Sequence, residues 1–340
     1  MMKGGTGAGT IVIAEIGVNH NGSMDLAKEL IRQAHVSGAS YAKFQTFRSE
    51  ILASLDTPLA NYQQASSSQA SQRELLKELE LNHADFLELK DYSSQLGIGF
   101  LTTAHDQQSA EFVLGMGLDY AKVPSGDVTN LPFLELVARA GQPVLLSTGM
   151  ASFDEVQAAL GALTRGTLRP QDVTVMQCTT EYPAPANEAN LLAMVAMGEE
   201  LKVPIGYSDH TLGAATAIAA VALGARVIEK HLTLDVNLPG PDHSASLEPH
   251  EFRAMVDSIR AVEASLGNRV KATQPSEMHN KLLVRKSIVA KRLISQGEQF
   301  SEECLSTMRP GAGISPMFWH EVIGQVAHRD FQADEPIELT

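Results

Sequence analysis

Ile11-Val12-Ile13-Ala14-Glu15-Ile16, followed by Asn19-His20-Asn21-Gly22 and then by Met24–Val36, is the stretch from which the fold can be read. A short apolar run bounded by turn formers reads as a buried strand. Leu26, Leu30, Ile31 and Ala34 then recur at helical spacing on one face. Working outward, the same unit returns. Apolar runs begin at positions 11, 41, 98, 120, 144, 173, 205 and 227, a mean step of about 31 residues, which is the length of one βα unit. Amphipathic stretches such as Glu74–Leu96, Leu131–Ala140, Phe153–Leu163, Ala214–Leu223 and Pro249–Leu266 lie among them. Eight units predict an α/β fold in which the strands close into a (β/α)8 barrel over residues 11–267. An open doubly wound sheet is the alternative that strand counting leaves standing.

The texture changes after Gly267. Residues 268–283 are polar, contain Pro275 and read as a linker; residues 284–340 carry short β-type runs separated by turn signals such as Gln296-Gly297-Glu298 and Arg309-Pro310-Gly311. A module of that size has little core of its own, so docking on the barrel or on a second chain is expected. Residues 1–10 read as a Gly-rich flexible tail, and Ser66–Gln72 as a polar loop. Gly5-Thr6-Gly7-Ala8-Gly9 precedes a strand rather than following one, which excludes a dinucleotide fingerprint.

The chain has 340 residues, 44% hydrophobic and 19% charged, with a net charge of −14. Wholesale disorder is excluded, and a polyanionic partner such as nucleic acid or an anionic membrane is disfavoured by the global field. Two cysteines cannot build a disulfide framework, and no apolar run is long enough to span a bilayer. The expectation is a cytoplasmic protein.

Nearly every predicted strand ends in groups able to bind or react. These are Glu15; Lys43 and Gln45; Thr102 and Thr103; Lys122 with Ser125 and Asp127; Ser147; Cys178 with Tyr182; Ser208 with His210; and Glu229 with His231. In a closed barrel all eight carboxyl ends face one mouth, where active sites are built. His210 and His231 end adjacent strands and could share a divalent cation with open positions for substrate oxygens, although His20, His105 and His243 are further candidates. Lysines at positions 43 and 122 on buried strands need anionic partners. They could clamp a phosphate or carboxylate, form a Schiff base, or pair with Glu15 or Glu229. Serine and glycine at 125–126 and 147–149 suit phosphate before a helix, and equally suit ordinary capping.

At these residues the sequence resembles the sialic acid (N-acetylneuraminate) synthase family, which includes legionaminic and pseudaminic acid synthases. The resemblance rests on Ile13–Gly22, Ala42–Thr46, Val123–Gly126, Leu146–Met150, Gln177–Pro183, Gly206–Thr211, Ile228–Asp235 and Gly240–His243. In the tail it rests on Arg285–Ile288 and Met308–Pro316. It implies a barrel followed by an antifreeze-like (SAF) domain at 284–340. It also implies condensation of phosphoenolpyruvate with an N-acetylated amino sugar and water, with Mn2+, or else Mg2+ or Co2+, as cofactor. The main expectation is N-acetylmannosamine as acceptor; the alternative is 2,4-diacetamido-2,4,6-trideoxymannose, which would give N,N'-diacetyllegionaminate. By resemblance His210 and His231 hold the metal, while Lys43, Thr102, Lys122, Ser125, Ser147 and Ser208 hold phosphoenolpyruvate. Glu15 handles a proton or the attacking water. Asp127, Tyr182 and Asp242 face the sugar, and Arg309 reaches into the partner's barrel in a domain-swapped homodimer. Two departures stand out: Thr103-Ala104-His105 where relatives usually carry Pro-Phe after the threonine, and Asp127 where many carry Glu.

Overall fold

The computed structural model describes residues 9–59, 69 and 71–339. It divides into two compact units, Met1–Gly267 and Asn268–Thr340. In the first unit, eight parallel strands close into a barrel in sequential order. Strand β1 (Ile11–Gly17) leads into α1 (Met24–Val36), and β2 (Tyr41–Thr46) into α2 (Ser49–Leu52), α3 (Gln72–Leu79) and α4 (His83–Leu96). There follow β3 (Gly99–Ala104), α5 (Gln107–Gly115), β4 (Ala121–Val123), α6 (Leu131–Ala140), β5 (Val144–Ser147) and α7 (Phe153–Leu163). The circuit ends with β6 (Val173–Cys178), α8 (Leu191–Leu201), β7 (Ile205–Asp209), α9 (Ala215–Ala222), β8 (Val227–His231) and α10 (Pro249–Leu266). Closure is direct: Glu15 of β1 pairs in register with Lys43 of β2 on one side and His231 of β8 on the other.

Local chemistry explains the elements. Ser23 caps α1 by accepting the Leu26 N–H, and Ala27, Leu30, Ile31 and Ala34 form the buried stripe against the barrel. The single helix expected over Glu74–Leu96 is two. Asn82 accepts the N–H groups of Ala84 and Asp85 and starts α4 with a reciprocal capping box, while Glu80 leaves the helical path and accepts both the N–H and the hydroxyl of Ser49. Gly17, at φ +55°, provides the irregularity in β1 that shifts its pairing with β2 between Glu15 and Gly17. Residues 1–8 of the expected tail and most of the expected polar loop lie outside the described residues. Thr10 is buried and fixed, with its N–H on the Glu263 carboxylate and its carbonyl accepting from Arg260 at 2.9 Å.

In the second unit the stretch expected to be an irregular linker contains a helix, α11 (Met278–Val284), and a turn at Pro275–Glu277. Strands β9 (Ser287–Ala290) and β10 (Leu305–Met308) pair antiparallel, and α12 (Trp319–Val322) follows. Ile288, Ile294, Phe300, Leu305, Phe331 and Ile337 supply its core. Both cysteines are free and buried. No helix among the described residues is long and apolar enough to cross a membrane.

Candidate active site

Alternation along the strands decides which side chains reach the mouth. A cavity of about 360 Å³ opens at the carboxyl ends of the strands, with Glu15, Lys43, Lys122, Glu229, His210 and His231 in its wall. Lys43, Lys122, Glu15 and Glu229 are all buried and form one charge cluster. The Lys43 ammonium lies 2.6 Å from Glu15 and 3.6 Å from Glu229, and donates to the Thr103 hydroxyl at 2.8 Å. Lys122 donates to the Ser147 hydroxyl and lies 3.8 Å from the other oxygen of Glu229. Ser208 donates to Glu229 at 3.0 Å.

The energetics of burial set the protonation of this cluster. Burial pushes the Glu15 carboxyl up to about 7, against the pull of Lys43 and with the help of Glu229. Burial alone would lower the pKa of Lys43, but Glu15 and Glu229 outweigh it and raise it, so this side chain is an ammonium rather than a free amine. Lys122 is lowered, by burial first and by Lys43 second, with Glu229 opposing.

Above the cluster lie the two imidazoles, with ring centroids 5.4 Å apart. His210 Nδ1 donates to the Thr179 carbonyl at 2.7 Å, which leaves its Nε2 lone pair free. Burial opposes its charge, yet the Cys178 sulfur and that carbonyl raise its pKa to about 9, so a cation at Nε2 competes with a proton. His231 Nδ1 is buried without a hydrogen-bond partner and lies 3.8 Å from Asp242, whose carboxyl burial lifts to about 6. Tyr182 stacks on His210 at 4.1 Å and meets His231 edge-on. Among the described residues no three His, Cys, Asp or Glu side chains are arranged to hold a metal. Two imidazoles, one oriented by a carbonyl and one with an unsatisfied nitrogen, nevertheless fit a divalent cation whose remaining positions go to substrate oxygens and water.

The structure brings Glu15, Lys43, Lys122, Ser125, Ser147, Tyr182, Ser208, His210 and His231 to this one cavity. Ser125 accepts the Gly149 N–H at 2.9 Å, and a Cβ at position 149 would collide with the Thr180 and Ser125 hydroxyls, so the bare backbone there keeps the cradle open. One expectation is corrected. Thr102 faces away from the mouth and shares a hydrogen bond of 2.7 Å with Thr46, because Lys43 and Gln45 point inward and strand pairing then turns Thr103 inward beside them. Asp127 accepts from Asn130 at 2.8 Å in the turn after β4, next to Gly126 of the wall. Asp242 is buried beside His231, 3.8 Å from its Nδ1. Arg309 belongs to the second unit and is exposed just after β10.

Thr103, Glu229 and His105 are among the wall residues that reading by motif left without a role. His105 is half-buried in the wall with its Nε2 out of solvent, and desolvation together with Lys43 and Lys122 drives its pKa down to about 4. The available signal was the two-residue period within a strand: an inward His231 implies an inward Glu229, whereas Thr103 and His105 follow from Lys43 only through the register of β3 against β2.

Fold and site together define a (β/α)8-barrel protein whose mouth gathers two lysines, two carboxylates and two imidazoles, followed by a small β-rich module. The chain belongs to the NeuB family, matched over residues 30–271, and residues 285–339 match the SAF domain. It is 44% identical to the N,N'-diacetyllegionaminic acid synthase of Campylobacter jejuni over 96% of this chain and 98% of that one. It is 38% identical to the human N-acetylneuraminate-9-phosphate synthase over 96% of this chain and 90% of that one. Among solved structures, the N-acetylneuraminic acid (sialic acid) synthetase of Leptospira borgpetersenii superposes with a TM-score of 0.69 at 30% identity, covering 80% of this chain and 90% of that one.

Proposed function

We propose that this chain is a nonulosonic acid synthase that joins phosphoenolpyruvate to an N-acetylated mannose-type sugar and releases phosphate. The observation that carries the reading is the pair of buried lysines, Lys43 and Lys122, set among hydroxyls in the same mouth as His210 and His231. Phosphoenolpyruvate carries close to three negative charges, and an acidic chain needs local countercharge to hold it. Lys43 and Lys122, with Thr103, Ser125, Ser147 and Ser208, supply that countercharge and the donors. His210 and His231 would hold the divalent cation, which when bound polarises the sugar's carbonyl oxygen as a Lewis acid.

In the reaction, C3 of the enol attacks the C1 aldehyde of the open-chain sugar, forming the new C–C bond, and the aldehyde oxygen takes a proton. Water adds at C2 and gives up a proton; the resulting adduct breaks its C2–O bond and releases phosphate. Glu15 is the group in the wall able to hold or accept a proton near neutrality. Tyr182 and Asp242, the latter 3.8 Å from His231 Nδ1, face the acceptor in this reading. Arg309, from the second unit of a partner chain in a homodimer, completes the sugar site in this reading.

Of the two acceptors, we favour 2,4-diacetamido-2,4,6-trideoxymannose. Phe47, Leu52 and Leu76 form an apolar part of the cavity wall, which suits methyl groups better than a hydroxylated chain. The test is phosphate release with phosphoenolpyruvate and Mn2+, comparing kcat/KM for N-acetylmannosamine and for the diacetamido sugar. Release with neither, from folded and metal-loaded protein, refutes the synthase reading; a preference for N-acetylmannosamine refutes the choice of acceptor alone.

A further inference from the structure

Directly behind the two histidines, on the outer face of the barrel wall, lies an ion pair that the reaction does not use. Asp209 and Lys230 are both completely buried, and their charged groups are 2.9 Å apart. They are register partners across β7 and β8. Each immediately precedes a histidine of the mouth: Asp209 before His210, Lys230 before His231.

The pair is fully furnished with hydrogen bonds. One Asp209 oxygen accepts the Thr211 N–H at 2.9 Å and the Thr211 hydroxyl at 2.8 Å. The other accepts Lys230 and the Thr216 hydroxyl, the latter at 3.0 Å. Lys230 also donates to the Thr211 carbonyl. The network thereby ties the end of β7, the loop after it, the first turn of α9 and β8 into one unit. It extends to the loop that carries Tyr182, because the His210 carbonyl accepts the Ala184 N–H at 2.9 Å.

Stability does not explain such a pair, since apolar residues of similar volume commonly serve as well or better. Register does. A slip of β8 by one residue against β7 exchanges inward and outward positions, placing Lys230 in the mouth and His231 among the helices. An apolar pair tolerates such a slip; an ammonium whose one buried carboxylate partner among the described residues is Asp209 does not.

We propose that the Asp209–Lys230 pair is a register lock that sets the spacing of His210 and His231 and thereby the affinity of the mouth for a divalent cation. The proposal rests on the reading of those histidines as the cation's ligands. Asp209 and Lys230 are positioning residues that act through their neighbours.

The test is calorimetric titration of the full chain with Mn2+ alone and, separately, with phosphoenolpyruvate alone. In Asp209→Asn/Lys230→Met, which keeps volume and removes both charges, Mn2+ affinity is expected to fall by about tenfold or more, as when outer partners of ligating histidines are removed. Phosphoenolpyruvate affinity is expected to fall less, by no more than about threefold, because Lys43, Lys122, Thr103, Ser125 and Ser147 lie on or just after other strands and only Ser208 and Glu229 share β7 and β8 with the lock. Thr216→Val removes one hydroxyl from Asp209 and leaves the charges paired, so it should fold even if the double variant does not; its Mn2+ affinity is expected to fall by about threefold. Equal loss of both affinities, or Mn2+ affinity unchanged in Thr216→Val and in the double variant if it folds, overturns the lock. His210→Ala separates the two levels. Unchanged Mn2+ binding there overturns the histidine reading and the lock with it, whereas loss there beside unmoved lock variants overturns the lock alone.

Discussion

Titrating the protein with phosphoenolpyruvate between about pH 7 and pH 9 examines the proton on Glu15, above the second phosphate ionisation near pH 6. Lys43 and Lys122 do not meet the anion as free cations: Glu15 lies 2.6 Å from Lys43, and Glu229 reaches both ammoniums. With both carboxylates ionised the cluster is close to neutral, and an entering trianion is repelled by each of them. Burial raises the free Glu15 carboxyl to about 7, and a bound anion raises it further, so binding takes up a proton. Below that pKa the proton is already present and affinity is flat. Above it, each pH unit weakens binding by up to tenfold. The loss saturates at the repulsion of one unit charge, about 3 kcal/mol at a separation of about 5 Å and an effective dielectric constant near 20, or roughly two decades in Kd. Calorimetry in two buffers of different ionisation enthalpy reads the proton uptake directly. Glu15→Gln should hold a phosphoenolpyruvate Kd near the low-pH value of the parent up to about pH 8, with a residual rise only towards pH 9, where His210 gives up its proton. A flat Kd for the parent across this range, or an unchanged slope in Glu15→Gln, would falsify the argument.

Thr103→Val should raise the KM for phosphoenolpyruvate several-fold by removing the hydroxyl that accepts from Lys43. Thr102→Val should leave KM alone and cost about 1–2 kcal/mol of stability, since it strands the buried Thr46 hydroxyl; thermal unfolding and steady-state rates separate the two, and the reverse pattern would mean the faces of β3 are misassigned. His231→Ala should abolish Mn2+-dependent phosphate release in a protein that still folds by circular dichroism, and activity at the parent level there refutes its role as a ligand. Arg309→Ala should raise the sugar KM by about tenfold, the order of one lost charge-assisted hydrogen bond, while the phosphoenolpyruvate KM holds; equal effects on both would remove Arg309 from the sugar site.

The barrel was legible because its evidence is local and repeated. The eight apolar runs recur with a mean step of about 31 residues, and helices such as Met24–Val36 carry their own stripe and cap. Most of the mouth was legible for the same reason, since strand ends converge once the barrel is closed. The break at Glu80–Asn82 was not, because Glu80 departs from the helix to bond Ser49, a residue far from it in the chain. The helix at Met278–Val284 was hidden by the polar composition around it.

Residue types and their spacing alone determined eight βα units with charged strand ends, two lysines and two histidines among them, and a separate β-rich tail. What the tertiary structure decided was closure and direction: a closed barrel rather than an open sheet, Thr103 rather than Thr102 in the mouth, Glu229 between Lys43 and Lys122, and Lys230 on the outer face next to His231. The physical reason is that a strand presents adjacent residues to opposite faces, so composition names the groups available at a strand end, while only the register between neighbouring strands assigns each group to the cavity or to the helices outside.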